Sequence, residues 1–363
     1  MIEKTPIRIL ELIVQNEHLS ISDRDQLKQD LLKKADFLKL FRLKNRDDLN
    51  LDNVDEIIKL RSQLMQSIYP DICQSLAISS IQIEQPHLIL PMLWHYWIPL
   101  AQRLVHQQQQ IGRTLIQGLI GGQGTGKTTL GIVLNIVLRH LGKTFLSISL
   151  DDLYKTYDDR QKLRDRRPNL IWRGPPSTHD IDFGIQVLQQ LRDRPLEGLQ
   201  PISIPRFDKS LHNGAGDRTA PDISYNADIV LFEGWFVGMR PLPISAFRNF
   251  VPPILSDEDR EFALECNANL YNYLPLWEYL DSLIVLLPEN YHYSLQWRLE
   301  AEHKLIASGK TGMSDHEITQ FVEYFWKALH PELFLPPLIG DSLLVDLVIE
   351  ISRSHLPIRI YSN

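Results

Sequence analysis

Cysteine is nearly absent from this chain: Cys73 and Cys266 are the only two in 363 residues. Thiols so far apart match no metal-binding spacing and cannot build a disulfide framework, which points to a reducing compartment. Positive charge is not in excess either: 38 Lys and Arg stand against 45 Asp and Glu, a formal net charge of −7. A chain of that balance lacks a broad surface for gripping nucleic acid or an anionic membrane, although a local basic site is compatible with the sum. Long apolar runs are missing as well. The longest uncharged stretch, Gln85 to Gln102, is broken by Pro91 and Pro99 and diluted by His87, His95 and glutamines. It reads as buried connector and helix rather than as a membrane span. Met1 to Leu19 carries Glu3, Lys4, Arg8, Glu11 and Glu17. It has neither the apolar core of a signal peptide nor the acid-poor pattern of a transit peptide, so a cytoplasmic location is expected.

What is present is ordinary globular composition, 44% apolar and 23% charged. At roughly 150 residues per domain the length suits two domains, or one with a large extension. The first part, to about Arg113, reads as helical. Ser20 and Ser22 precede Leu27, Leu31, Ala35 and Leu38, a cap signal followed by one apolar face. Asp52 or Asn53 opens a second helix with Ile57, Leu60, Leu64 and Ile68 on one side, and Pro70 is expected to close it. Gln107 to Gln110 ends a helix begun near Pro99, where a first-turn proline is tolerated.

From Thr114 the texture changes. Short apolar runs at Leu115–Ile120, Thr144–Leu150, Pro201–Pro205, Asp228–Phe232, Ser282–Leu287 and Leu343–Ile351 alternate with helical stretches such as Thr129–Leu141. That alternation implies an α/β fold with a mostly parallel sheet covered on both faces. Ligands on such sheets sit at the carboxyl ends of the strands.

Gly121, Gly122, Gln123, Gly124, Thr125, Gly126, Lys127 and Thr128 complete the pattern G-x-x-x-x-G-K-[ST], with a strand before and a helix after. Glycines allow positive φ and let backbone N–H groups close on phosphate oxygens. The helix N-terminus, through Thr129, adds its partial positive charge. Lys127 is suited to the β- and γ-phosphates of ATP, and the Thr128 hydroxyl to Mg²⁺. Glu233, directly after an apolar strand, supplies an acid for the metal or its water.

A phosphate loop alone does not separate a motor, a switch and a kinase. Ser149-Leu-Asp151-Asp152-Leu-Tyr154 places a carboxylate at the second strand end, where it can take the proton of an attacking hydroxyl. Neighbouring side chains alternate on an extended chain, so Asp151 is the chosen base and Asp152 the alternative if the strand has already turned. Beyond it lie seven Lys or Arg between Lys155 and Arg173, against three acids. Arg173 stands in the proline-braked loop Trp172–Asp180, with His179 and Asp180. Arg206, Asp208, Lys209 and Arg218 follow the third apolar run. Arg grips carboxylate with two hydrogen bonds, while Asp and His hold hydroxyls, so these loops suit a small, polar, anionic acceptor. Gln296–Lys304, then Ser308–Asp315, read as a helix, a Gly-containing turn and a capped helix. Arg298 is the candidate lid arginine for the transferred charge, or else a helix-surface partner of Glu302.

Together Gly121–Thr128, Ser149–Tyr154, Arg173–Asp180, Pro205–Arg218, Phe232–Pro241 and Gln296–Asp315 resemble the plant- and cyanobacterial-type D-glycerate 3-kinases. The most specific stretches are Pro-Arg-Phe-Asp-Lys-Ser, Phe-Glu-Gly-Trp-Phe-Val-Gly and Gln-Trp-Arg-Leu-Glu-Ala-Glu. That family is related to uridine kinase, pantothenate kinase and phosphoribulokinase. The resemblance implies a P-loop kinase fold with a five-stranded sheet of order 2-3-1-4-5. The change of texture at Thr114 divides the chain into an α-helical N-terminal extension, 1–112, and a kinase domain, 113–363, with a helical lid at about 291–325. The resemblance implies transfer of the γ-phosphate of ATP to the 3-hydroxyl of D-glycerate, a step that recycles photorespiratory carbon. Asp151 would be the base, Glu233 a holder of Mg²⁺, and Arg298 a contact to the phosphates. No nucleic acid, membrane or obligate protein partner is expected. The alternatives are a kinase of the same fold for another acceptor and a nucleotide-binding regulatory protein without turnover.

Overall fold

A computed structural model of the chain describes residues 6–33, 54–78, 88–193, 200–249, 251–309 and 312–362. Glu3, Lys4, Ala35, Leu38, Asp52, Asn53, Gln85, His87, Lys310 and Thr311 lie outside the described residues. The chain begins with helices α1 (Ile7–Val14), α2 (Ile21–Lys33) and α3 (Val54–Ile78). At the start of α2 the Ser20 hydroxyl accepts the Asp23 N–H at 3.1 Å, and the Asp23 carboxylate accepts the Ser20 N–H in return. Pro70 does not close α3, contrary to its expected role, but lies inside it. An interior proline costs about 3 kcal/mol. Here Ile68, Ile72 and Leu76 continue a buried stripe across it, and each buried apolar side chain contributes about 1.5–3 kcal/mol. Leu60 is another departure: it is 48% exposed, while Ile58, Arg61 and Met65 face inward.

A turn at Ile89–Met92 and a π-helical stretch, Leu93–Trp97, lead without a break into α4 (Ile98–Ile111). The π turn sends Leu93, Trp94, His95, Tyr96 and Trp97 all into the interior. Gly112, at φ 70°, then ends α4 in the left-handed conformation common at helix C-termini. None of the described helices is long and apolar enough to cross a membrane.

Ten strands follow in chain order: β1 (Leu115–Gly121), β2 (Phe145–Ser149), the short β3 (Ile202–Ile204), β4 (Phe207–Asp208), β5 (Asp217–Arg218) and β6 (Asp222–Ser224), then β7 (Ile229–Gly234), β8 (Ser282–Pro288), β9 (Val345–Ile351) and β10 (Pro357–Tyr361). Six of them form the main sheet, in the order β10-β9-β8-β1-β7-β2. The pairs β2–β7, β7–β1, β1–β8 and β8–β9 are parallel, and β9–β10 is antiparallel. Among the parallel strands the order is 2-3-1-4-5. The expected five-stranded sheet nevertheless needs correction, because β10 adds an antiparallel edge. The apolar run at Pro201–Pro205 also stands outside this sheet, since β3 pairs only with β6. Four connecting helices are α5 (Lys127–His140), α6 (Tyr157–Arg166), α7 (Ile181–Arg192) and α8 (Asp257–Asn269). The last three are α9 (Tyr293–Ala307), α10 (Asp315–Ala328) and α11 (Pro331–Ile339).

Side chains alternate across the sheet, and both faces are apolar. Leu115, Leu119, Ile229, Leu231, Ile284 and Leu347 share a core with α5 and the helices that precede β1. Ile116, Ile120, Val230, Phe232, Val285 and Val348 share the other with α7, α8 and α11. That is the pattern of a parallel sheet buried on both sides. The helices before β1 are thus part of the cover of one face: α3 packs on α5, and buried Arg103 of α4 pairs with Asp346 of β9. Because the central strands are parallel, Gly121, Ser149, Gly234, Pro288 and Ile351 end at one rim, and the candidate site occupies it.

Candidate active site

β1 runs directly into the glycine loop. Gly124 and Gly126 have φ of 76° and 89°, which L side chains rarely adopt. Gly124 is constrained twice, since a Cβ there would lie 2.7 Å from the Cβ of Trp297 on α9. The Thr125 hydroxyl donates to the Gly122 carbonyl at 2.9 Å and closes the loop on itself. Gly126 caps α5 without a side-chain hydrogen bond, so the first N–H groups of the helix stay available to an anion. Thr128 in that first turn is exposed, Thr129 beside it half-buried. The Lys127 ammonium donates to the carbonyls of Gly121 at 2.7 Å and Gly122 at 3.0 Å. Burial lowers its pKa, opposed by the nearby charges of Glu233 and Asp151. Lys127 therefore sits within the field of both acids.

At the end of β2 the chain turns at once into a short 3₁₀ helix, Leu150–Leu153. The turn separates the two aspartates. Asp152 accepts the Ser149 N–H at 2.9 Å and pairs with Arg206 at 3.2 Å. Asp151 pairs with Lys209 at 2.6 Å and accepts a hydrogen bond from Tyr154. Burial would raise the Asp151 carboxyl, but Lys209 and Tyr154 overcome it and hold the pKa below the usual carboxylate range. Asp152 moves the other way: burial raises it, and the charges of Asp151 and Glu233 add to the rise. Glu233 lies on β7 opposite Ser149 of β2. Asp151, Asp152 and Glu233 thus lie within one another's field, with Asp151 and Glu233 beside Lys127, and such repulsion is of the kind a divalent cation relieves. Among the described residues no group of three or more His, Cys, Asp or Glu is placed to hold a metal by itself. The donors that fit Mg²⁺ are hard oxygens, the exposed Thr128 hydroxyl and the Glu233 carboxylate, and phosphate oxygens would complete its shell.

The acceptor-side residues fall into two groups. Asp180 caps α7 through the Phe183 N–H at 3.2 Å and takes Arg218 at 2.9 Å. Arg218 also donates to the Tyr154 carbonyl at 2.7 Å. Arg206 bridges Asp152 and Asp222, the latter at 2.6 Å. Asp208 accepts the Ser210 N–H at 2.8 Å and its hydroxyl at 2.6 Å. These four hold the loops in shape. Arg160, from the same basic cluster, is spent on the carbonyls of Lys155, Ala215 and Gly216.

Arg173, His179 and Lys209 stand apart from them. Arg173 donates to the Gly214 carbonyl at 2.6 Å, and its guanidinium lies 5.6 Å from the Phe207 ring centre and 6.0 Å from that of Tyr154. No carboxylate pairs with it among the described residues. The segment around Tyr154 pairs with that around His179: the Lys155 N–H donates to Thr178 at 3.0 Å, and the Asp180 N–H to Leu153 at 2.7 Å. The Tyr154 and His179 rings stack at 4.5 Å as a result.

On the lid side, Arg298 pairs with Glu302 at 2.8 Å, the helix-surface alternative read from the sequence. Glu302 is buried and also accepts the Met313 N–H at 2.8 Å, tying α9 to the start of α10. Trp297 seats α9 on Gly124, donates to the Arg353 carbonyl at 2.8 Å and stacks on His355 at 4.4 Å. A second close approach is at Gly174, φ 132°, where a Cβ would fall 2.3 Å from the Phe325 ring of α10.

Three site residues carried no separate assignment in the sequence. Tyr154 and Trp297 stand inside the same motifs as Asp151 and Arg298. Tyr273, whose hydroxyl lies 2.7 Å from His179 Nδ1, is 94 positions away from it and has no local signal.

No protein-family model matches the chain. It is 31% identical over 300 residues to chloroplastic D-glycerate 3-kinase of Arabidopsis thaliana, covering 76% of this chain and 64% of that protein. The chain thus spans just under two thirds of that relative's length. It is 33% identical over 231 residues to the uncharacterised kinase mug58 of Schizosaccharomyces pombe, covering 61% of this chain and 82% of the relative. Among solved structures, D-glycerate 3-kinase from Cryptococcus neoformans var. grubii superposes with a TM-score of 0.64 at 28% identity, over 72% of this chain and 97% of that one.

Proposed function

Given that the chain belongs to the P-loop kinase family that includes D-glycerate 3-kinase and the fission-yeast kinase mug58, we propose that it transfers the γ-phosphoryl group of ATP to the 3-hydroxyl of D-glycerate. The observation that carries this reading is an ionised, tethered carboxylate, Asp151, held by Lys209 and Tyr154 beside the P-loop lysine. A nucleotide-binding module has no use for such a base.

The reaction proceeds by in-line displacement. The acceptor oxygen forms a bond to the γ-phosphorus, the bond from that phosphorus to the β–γ bridging oxygen breaks, and ADP leaves with the electron pair. The hydroxyl proton passes to an Asp151 carboxylate oxygen. Lys127 exchanges the Gly121 and Gly122 carbonyls for phosphate oxygens and neutralises charge there. Mg²⁺, when bound, supplies further charge neutralisation on the phosphates, and Thr128 and Glu233 are the residues that would hold it. Arg298 reaches the transferred group by giving up Glu302. Arg173 takes the acceptor carboxylate. Arg206 and Arg218 already have carboxylate partners and Arg160 is held by three carbonyls, whereas Arg173 has one carbonyl partner and lies 6.0 Å from the ring of Tyr154, the residue bonded to Asp151.

The test is an ADP-release assay with ATP and Mg²⁺ across D-glycerate, uridine, pantothenate and sugar phosphates. Turnover on D-glycerate well above the others is expected. Strong uridine turnover with none on D-glycerate would replace the acceptor. ATP binding without turnover on any acceptor would replace the kinase by a nucleotide-binding regulator.

A further inference from the structure

A buried donor among the acceptor-side residues has no partner among the described residues. His179 is 1% exposed, and its Nε2 makes no hydrogen bond, while Nδ1 lies 2.7 Å from the Tyr273 hydroxyl. The Ser177 N–H donates to that same hydroxyl oxygen at 3.0 Å. The phenol therefore already accepts one hydrogen bond, and Nδ1 is the acceptor within reach of its own proton. Tyr273 donates to Nδ1, which assigns the imidazole proton to Nε2. Burial pushes the His179 pKa down to about 3, so the ring is neutral and keeps this tautomer at any working pH.

The position of the unpaired N–H matters as much as its burial. The His179 ring stacks on Tyr154, whose hydroxyl bonds Asp151, and packs at 5.6 Å against Phe236, three residues beyond Glu233. The charges acting on it are those of Asp151 and Lys155. The ring that bears the donor is thus one residue removed from the acid assigned to the hydroxyl proton. A buried N–H left without an acceptor costs about 1–3 kcal/mol, which a ligand or water oxygen would recover.

We propose that His179 is the specificity-determining residue of the acceptor pocket: its Nε2–H donates to the oxygen on the carbon next to the carboxylate, the 2-hydroxyl of glycerate, and so selects 2,3-dihydroxy acids over 3-hydroxy acids lacking that group. The proposal rests on the reading of this site as a glycerate kinase. Tyr273 is a positioning residue that acts through the tautomer. A site built to bond a substrate hydroxyl discriminates steeply against the analogue without it, because the buried donor is then left unpaired.

The experiment compares kcat/KM for D-glycerate and 3-hydroxypropionate in the wild-type protein, His179→Phe and His179→Gln. The phenylalanine variant keeps the stacking and loses the donor, and its preference for D-glycerate is expected to fall by about 100-fold or more. The glutamine variant, which keeps an N–H donor, is expected to retain part of the preference. An unchanged ratio in a folded His179→Phe protein overturns the proposal. A second readout needs no substitution and no turnover. In ¹⁵N-labelled wild-type protein the His179 Nε2–H resonance is expected to shift on addition of D-glycerate and not of 3-hydroxypropionate. Identical responses to both would assign the donor to bound water and overturn the proposal. Failure of the kinase reading looks different: no phosphorylation of any acceptor, whichever way the His179 resonance responds.

Discussion

The phosphate cradle and the proposed acceptor pocket share one sheet rim but are assembled in opposite ways. The cradle is eight consecutive residues, Gly121 to Thr128, and most of its donors are main-chain N–H groups at the start of α5. The pocket gathers Asp151, Tyr154, Arg173, His179, Lys209 and Tyr273 from segments far apart in the chain, and every contact it offers is a side chain. A main-chain site is preserved under most substitutions and recognises what all nucleotides share. A side-chain site is retuned by single substitutions. The two should therefore be separable by mutation, with nucleotide binding surviving changes that abolish acceptor chemistry.

Asp151→Asn tests that separation most severely. The amide cannot take the hydroxyl proton, and general-base catalysis is worth about 10²–10⁴-fold. A fall of kcat in that range is expected, with ATP affinity from calorimetric titration nearly unchanged. Full activity in the variant would remove Asp151 from the base role, and an equal loss of ATP affinity would show that the two halves are one site.

Arg173→Ala has the next largest effect. A hydrogen bond to a charged group contributes about 1.5–3 kcal/mol, so the acceptor KM should rise roughly 10- to 100-fold with kcat and the ATP KM little changed. Initial rates with both substrates varied would decide it. A rise confined to the ATP KM would move Arg173 to the cradle side and break the comparison.

The same contrast governs what could be read from the sequence. The cradle was legible because one motif between a strand and a helix contains all of it. The parallel strands were legible because burial on both faces leaves near-continuous apolar runs. Pro201–Pro205 has the same texture, yet β3 pairs in a two-stranded excursion, since a short apolar run does not encode its neighbour. β10 has no such run, because Pro357-Ile-Arg-Ile-Tyr, with exposed Arg359, is an edge strand with one polar side. Pro70 obeyed its local preference on paper and was overridden by the buried stripe through α3. In the pocket, composition announced many basic residues and could not say which were already neutralised. Arg206 meets Asp222 and Arg218 meets Asp180 only once the loops have folded. The pairing of His179 with Tyr273 is of that kind too.

The smallest effect sharpens the comparison through pH. Lys209 lies 2.6 Å from Asp151 and is the strongest influence lowering a carboxyl that burial alone would raise. A base must be deprotonated to act, so the depressed pKa keeps Asp151 competent below the pH at which an ordinary carboxylate would fail. Activity should be lost only as pH falls through that depressed value. Lys209→Met removes the cation that opposes burial most strongly, so the Asp151 pKa rises. An opposite charge at this range typically shifts an Asp by about 1–3 pH units. The acid limb of the kcat/KM profile for the acceptor should therefore move upward by about one unit or more, while activity well above that limb changes far less than in Asp151→Asn. Because Lys209 belongs to the pocket, the pH dependence of ATP affinity measured without acceptor should stay where it was. A parallel shift in both profiles would mean that the Asp151–Lys209 pair serves the cradle as much as the pocket.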